Sequence, residues 1–135
     1  MSIEAECRRV GTARVVANCI QMLSGGEIDV ETLHALAGPA AAEVLRGHAG
    51  GVSGYWPRVW AMRGFLYACD DVATRVVIEG AKDESWRVRE MSAKVVARRR
   101  VGDALEAMVA LGHDPVLRVR RAADRAIVRV VESEA

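Results

Sequence analysis

Aromatic residues and lysines are scarce in this chain of 135 residues. It contains only three Trp, two Tyr and one Phe, and Lys82 and Lys94 are its only lysines. Alanine and valine supply most of the apolar content, which favours closely packed helices. The formal net charge of +1 excludes a strong overall field that would draw the protein to nucleic acid or to a membrane.

Cysteine pairs and long apolar runs are also missing. Cys7, Cys19 and Cys69 lie far apart, which argues against a disulfide framework or a zinc knuckle and predicts reduced, mostly buried thiols. The first residues lack the apolar segment of a secretory signal, and no run reaches the ~20 apolar residues of a membrane span. We therefore expect a cytoplasmic protein with no membrane partner.

Catalytic and metal-binding motifs are absent as well. His34, His48 and His113 are scattered without metal-ligand spacing, and there is no nucleophile elbow or phosphate-binding glycine loop. Cys69 stands next to Asp70, but no histidine is near it in the sequence. We expect no catalytic residue, no metal and no cofactor, and hence a protein that is not an enzyme.

An internal repeat dominates the second half of the chain. Residues 83–98, DESWRVREMSAKVVAR, recur 31 positions later as residues 114–129, DPVLRVRRAADRAIVR. Residues 58–66 are a more degenerate third copy. A fixed period of this size is typical of stacked helical repeats. The matched pairs are Asp83 and Asp114, Arg87 and Arg118, Val88 and Val119, Arg89 and Arg120, Val96 and Ile127, and Arg98 and Arg129.

Apolar periodicity and capping residues predict about eight helices in antiparallel pairs and no strand. Asp29, Asp83 and Asp114 are expected N-caps, with Pro115 at a first helical position. Asp103 and Glu106 are expected to form a capping box. The predicted helices span residues 3–23 (with a kink or a close helix contact at Gly11), 30–37, 39–47, 55–69, 71–81, 84–99, 103–111 and 115–131; the glycine-rich stretch 47–54 is predicted to be a loop.

The pattern D-x-x-x-x-V-R-x-x-A resembles the HEAT repeat, particularly its short bacterial form. Asp83, Val88 and Arg89 carry it in one unit, and the next unit carries it in Asp114, Val119, Arg120 and Ala123. The resemblance implies an all-α fold, a right-handed α–α superhelix. It also implies a single domain, 1–135, in which residues 1–54 form irregular helices and the glycine-rich loop and residues 55–132 form HEAT-like repeats.

The same resemblance implies a structural role for the repeated Asp and Arg residues. Arg89 and Arg120 would each pair with an aspartate of a neighbouring unit, such as Asp83 or Asp114. The helix that begins with Val-Arg would face the concave side of the solenoid.

Further basic residues recur on one side of the repeated helix. Their positions in the second copy are three and four residues apart, so they share a helix face. Either they are solvated arginines with local acidic partners, or they form a basic groove for an anionic partner. The residues are Arg118, Arg121, Arg125 and Arg129, and one repeat earlier Arg87, Lys94 and Arg98, where the acidic Glu90 stands at the position of Arg121. Arg99 and Arg100 lie at the edge.

Trp56 and Trp60 lie four residues apart beside Tyr55 and the glycine-rich stretch. Such a pair is either core beneath a loop or an anchor for a partner protein, because Trp and Tyr are enriched at interfaces. Trp86 aligns with Leu117 and is expected in the core.

These observations favour a non-catalytic HEAT-like scaffold that binds a partner protein, with its concave face as the expected site. The alternative is binding of a nucleic-acid backbone by the same arginines; less favoured is an enzyme like the HEAT-like bacterial DNA glycosylases. The oligomeric state stays open, although self-association would cover an exposed terminal repeat. The candidate binding residues are Arg87, Lys94, Arg98, Arg118, Arg121, Arg125, Arg129, Trp56 and Trp60.

Overall fold

The computed structural model describes residues 2–45 and 55–134. These ranges contain helices and no strand, which confirms the all-α class. No helix within them is long and apolar enough to cross a membrane. The helices are α1 (Ile3–Val10), α2 (Thr12–Leu23), α3 (Val30–Ala37), α4 (Ala41–Leu45), α5 (Tyr55–Gly64), α6 (Thr74–Gly80), α7 (Trp86–Arg99), α8 (Leu105–Leu111) and α9 (Leu117–Glu134); short 3-10 helices, Gly38–Ala40, Asp71–Ala73 and Gly102–Ala104, come immediately before α4, α6 and α8.

The first predicted helix, 3–23, is two helices in the structure. Gly11 separates α1 from α2 with a φ of 92°, a backbone conformation that residues with a side chain rarely adopt. The glycine therefore ends the first helix, whereas the sequence pattern predicts a kink or a close helix contact there. By contrast, α3 has its predicted bounds, and Asp29 is its N-cap because its carboxylate accepts the Thr32 N–H.

The two repeated aspartates were wrongly expected to cap the repeated helices. Each instead closes a turn: Oδ1 of Asp83 accepts the Ser85 N–H, and Oδ1 of Asp114 accepts the Val116 N–H, both at 2.9 Å. Because an Asp side chain readily bonds the backbone two residues on, the turn forms first and the helix begins after it. Consequently α7 and α9 start at Trp86 and Leu117, and Pro115 precedes the helix.

Other helix ends also differ from their predicted positions. The helix predicted over 55–69 stops at Gly64, where the N–H groups of residues 65–67 turn to carbonyls three residues back, which tightens the chain. The expected capping box of Asp103 and Glu106 is not formed, since α8 has no side-chain cap. The glycine-rich stretch 47–54 lies outside the described residues.

The chain divides into two compact units, Met1–Ala73 and Thr74–Ala135. The first contains α1 to α5 around a core of buried side chains, which includes Val15, Leu33, Met62 and Phe65. Burial raises the pKa of the Cys19 thiol in this core to about 12, and Cys7 adds to the shift, so this thiol stays protonated at neutral pH. The degenerate third copy of the repeat, 58–66, also lies in this unit.

The second unit contains both clear copies of the repeat. α9 packs against α7 and α8, and α7 packs against α6. Valines and alanines fill the space between these helices; Val88, Val95, Val119 and Ala123 are completely buried. The buried hydroxyl of Ser92 donates a hydrogen bond of 2.6 Å to the Val77 carbonyl. Small side chains thus let α7 and α9 lie close together, which brings their basic residues to one place.

Candidate functional site: a cationic groove in the second unit

An ion pair between the two copies of the repeat holds the helices beside the groove. Nε and Nη2 of Arg89 donate to the two carboxylate oxygens of Asp114, at 2.6 and 3.2 Å. Nη1 of Arg89 also donates to the carbonyls of Asp83 and Glu84. The arginine therefore ties its own turn to the turn of the next repeat, which is the kind of contact that the resemblance implied.

The Asp114 carboxyl is almost completely buried, with only 5% of its side chain exposed. Burial by itself would raise its pKa, but the hydrogen bonds from Arg89 and Val116 and the charges of Arg89 and Arg120 outweigh burial and lower it. The group consequently stays ionised at neutral pH inside the fold. Arg120 donates Nη1 to the Asp114 carbonyl at 2.7 Å, as Arg89 does to Asp83.

A groove of about 400 Å³ opens on the surface of this unit. Two alanines, Ala97 and Ala122, form the apolar part of its wall, and every other residue that lines it is basic. Lys94 and Arg98 on α7 correspond to Arg125 and Arg129 on α9 in the 31-residue alignment. The repeat therefore duplicates the cations and places them together. The basic lining residues are Lys94, Arg98, Arg100, Arg125 and Arg129.

Within the described part of the chain, Arg98, Arg100, Arg125 and Arg129 form no ion pair or hydrogen bond through their side chains. Lys94 has one long contact, 3.8 Å, to Glu90. Guanidinium groups that lie together without carboxylates repel one another, and an anion in the groove would relieve that repulsion.

Glu90 lies within the predicted row of cations and binds one of them, Arg118. Its buried carboxylate accepts two hydrogen bonds from Arg118, at 2.9 and 3.2 Å, so Arg118 is neutralised locally. Arg118 and Arg87 also lie over the ring of Trp86, 5.1 and 4.5 Å from its centre, which is cation–π geometry. Trp86 is half-buried, whereas its alignment with Leu117 predicts a position in the core.

The remaining predicted site residues lie outside the groove. Arg121 is exposed on α9 and does not line it. Trp56 and Trp60 lie on α5 in the first unit, half-buried, with their rings stacked 5.9 Å apart. Tyr55 is 5.1 Å from Trp56, so three aromatic rings form one cluster at the start of α5.

Arg100 was expected only at the edge of the cationic surface, yet it lines the groove. It follows the last residue of α7 with a φ of 54°, the only positive φ of a non-glycine residue in the described ranges. Glycine or asparagine is usual at this position because other side chains crowd the backbone. The helix end thus carries a strained arginine at the rim of the groove.

The first unit has a groove of similar volume, about 420 Å³, but of mixed charge. Arg14 lies there with three carboxylates, those of Glu27, Asp29 and Glu31. No cluster of metal-binding side chains is present among the described residues of either unit. Comparisons with protein-family models, with curated proteins and with solved structures found no match to this chain.

Proposed function

We propose that this protein is a non-catalytic binding module that takes an acidic segment of a partner protein in the groove between α7 and α9. The observation that supports this function most is the set of five cations in the groove, four of which form no ion pair with any residue that the structure describes. Arginine suits such a role because its planar guanidinium can bind a carboxylate through two parallel hydrogen bonds. The alanines between the cations leave room for an extended chain.

The charge distribution favours a protein partner over nucleic acid. The second unit holds thirteen Lys and Arg against ten Asp and Glu, and the first unit holds six against eight, so the excess of positive charge is small and local. Domains that bind nucleic-acid backbones are usually strongly basic over a whole face. The groove arginines of α9, Arg125 and Arg129, are four residues apart, about 6 Å along the helix, which suits a short acidic segment.

The HEAT-like solenoid belongs to this proposal. The 31-residue repeat, the Arg89–Asp114 ion pair and the close packing of α7 on α9 support it. In such an arrangement α7 and α9 are the second helices of consecutive pairs, and the groove lies on the concave side.

Titration of the protein with a fluorescent glutamate-rich peptide and, separately, with generic duplex DNA tests the proposed function. We expect the peptide to bind with an affinity that falls with salt, and Arg125→Glu together with Arg129→Glu to abolish binding. The control is Arg75→Glu, which reverses one charge at an exposed position of α6 and should leave binding unchanged; Arg125→Glu alone, which makes the same charge change within the groove, should weaken it. Binding of DNA without the peptide would favour the nucleic-acid alternative, and binding of neither would contradict both.

A further inference from the structure

A second surface of α9 is open, and it differs from the groove. Leu117, Val128 and Val131 are about half exposed, at 48%, 54% and 51%. At 3.6 residues per turn these three positions, together with Arg120 and Asp124, fall within an arc of about 80° on the side of α9 away from its buried valines and alanines. We call these five residues the outer face of α9.

The equivalent residues of α7 show what two positions of this face contact in the preceding repeat. The counterparts of Arg120 and Asp124 on α7 are Arg89 and Ala93, and α9 packs against α7. Ala93 is completely buried, and the guanidinium of Arg89 binds a carboxylate of the next repeat. The position that is covered on α7 at Ala93 is therefore exposed on α9 at Asp124.

Two opposite charges on the outer face keep side-chain atoms that form no hydrogen bond or ion pair within the part of the chain that the structure describes. Nη1 of Arg120 donates to a backbone carbonyl, but its Nε and Nη2, the atoms that bind Asp114 in Arg89, meet no acceptor among the described residues. The carboxylate of Asp124 likewise accepts no hydrogen bond within the described ranges. The two residues lie one helical turn apart.

We infer that the outer face of α9 binds the same face of a second copy of the chain, with the two helices antiparallel. If Arg120 lies opposite Asp124 of the second copy, then Leu117 lies close to Val128 of that copy, because the midpoints of the two pairs differ by half a residue, less than about 1 Å along the helix. Two-fold symmetry forms each contact twice. The face carries both the cation and the anion of the ion pair, and both apolar side chains of the Leu–Val contact. The same face of a second copy therefore supplies a partner for each of these four groups.

Sedimentation of the full chain over micromolar to millimolar concentrations tests this inference. We expect a monomer–dimer equilibrium, and we expect Asp124→Arg to weaken the dimer on the order of a hundredfold, because it sets two arginines against each other twice. Glu132→Arg is the control: it makes the same charge change on α9, about 80° round the helix from Asp124. Circular dichroism would show that each variant keeps its helices.

A charge swap gives a second readout. Asp124→Arg mixed with Arg120→Glu should form a heterodimer, although neither variant should dimerise alone. A wild-type chain that stays monomeric throughout the concentration range would overturn the inference, and so would an Asp124→Arg variant that dimerises as tightly as the wild type. Since neither variant changes a residue of the groove, failure here leaves the proposed function standing.

Discussion

The ion pair between Arg89 and Asp114 provides the sharpest test of how the two copies of the repeat are held together. Only 15% and 5% of the two side chains are exposed, and two charge-assisted hydrogen bonds join them. Asp114→Asn keeps an oxygen for the turn at Val116 but removes the negative charge. Loss of one partner from a buried pair costs roughly 3 kcal/mol, because the other charge stays buried. We expect this loss in the free energy of unfolding of the second unit.

A double-mutant cycle measured by urea denaturation separates the pair from its surroundings. Asp114→Asn and Arg89→Gln, alone and together, should give a coupling energy of about 2 kcal/mol that persists in high salt, since buried charges are poorly screened. The exposed pair of Arg75 and Glu79 on α6 is the comparison, with an expected coupling below about 0.5 kcal/mol. Equal coupling energies for the two pairs would refute the reasoning.

Three further changes have definite expected outcomes. Arg100→Gly relieves the positive φ, so it should stabilise the fold by about 0.5 kcal/mol in urea denaturation and weaken binding in the peptide titration. Arg99→Gly, within the helix, should destabilise the fold in the same denaturation assay. Gly64→Ala should cost about 1 to 3 kcal/mol in thermal unfolding, because its Cβ would lie 2.9 Å from a Leu36 methyl group. The pKa of Asp114 is lowered in the fold, so its carboxylate stabilises the folded state above the unfolded pKa of about 4, and this contribution is lost as the pH falls through the folded pKa. The free energy of unfolding of Asp114→Asn should therefore fall less in acid than that of the wild type.

The repeat could be identified from the sequence because its main contacts depend on a few residue types at fixed spacing. The resemblance to the HEAT repeat implied that Arg89 pairs with an aspartate of a neighbouring unit, such as Asp83 or Asp114, and the partner in the structure is Asp114. Arg120 was expected to pair in the same way, but it donates to the Asp114 carbonyl instead. The cations of the groove could be named from the same fixed spacing: Lys94 and Arg125 occupy equivalent positions, and equivalent positions of packed repeats lie side by side.

Three features of the structure could not be predicted from the sequence: the starts of the repeated helices, the burial of Glu90 and the backbone conformation of Arg100. Aspartate serves equally well as a helix cap and as the first residue of a turn, so the pattern placed the starts of α7 and α9 two residues too early. Glu90 looked like a lone acid among cations, but it is buried and binds Arg118 on another helix. Nothing in the sequence around Arg100 indicates a positive φ, since the nearest glycine lies two residues later.

The groove and the outer face occupy different sides of α9, and this makes the two proposals additive. Arg125 and Arg129 lie about 60 to 140° round the helix from Asp124 and Val128, so a partner in the groove leaves the outer face free. A two-fold dimer would then carry two grooves, and a partner with two acidic segments could bind both at once. Binding of the second segment is intramolecular, which commonly raises the affinity a hundredfold or more, by about 10² to 10⁴.

This coupling can be measured with two ligands of one chemistry. Asp124→Arg should bind a short glutamate-rich peptide as the wild type does, because the groove is unchanged. It should bind long polyglutamate at least about tenfold more weakly than the wild type, because a monomer offers one groove where the dimer offers two. If the variant and the wild type bind long polyglutamate equally at concentrations where the wild type is dimeric, the two grooves do not act together on one partner.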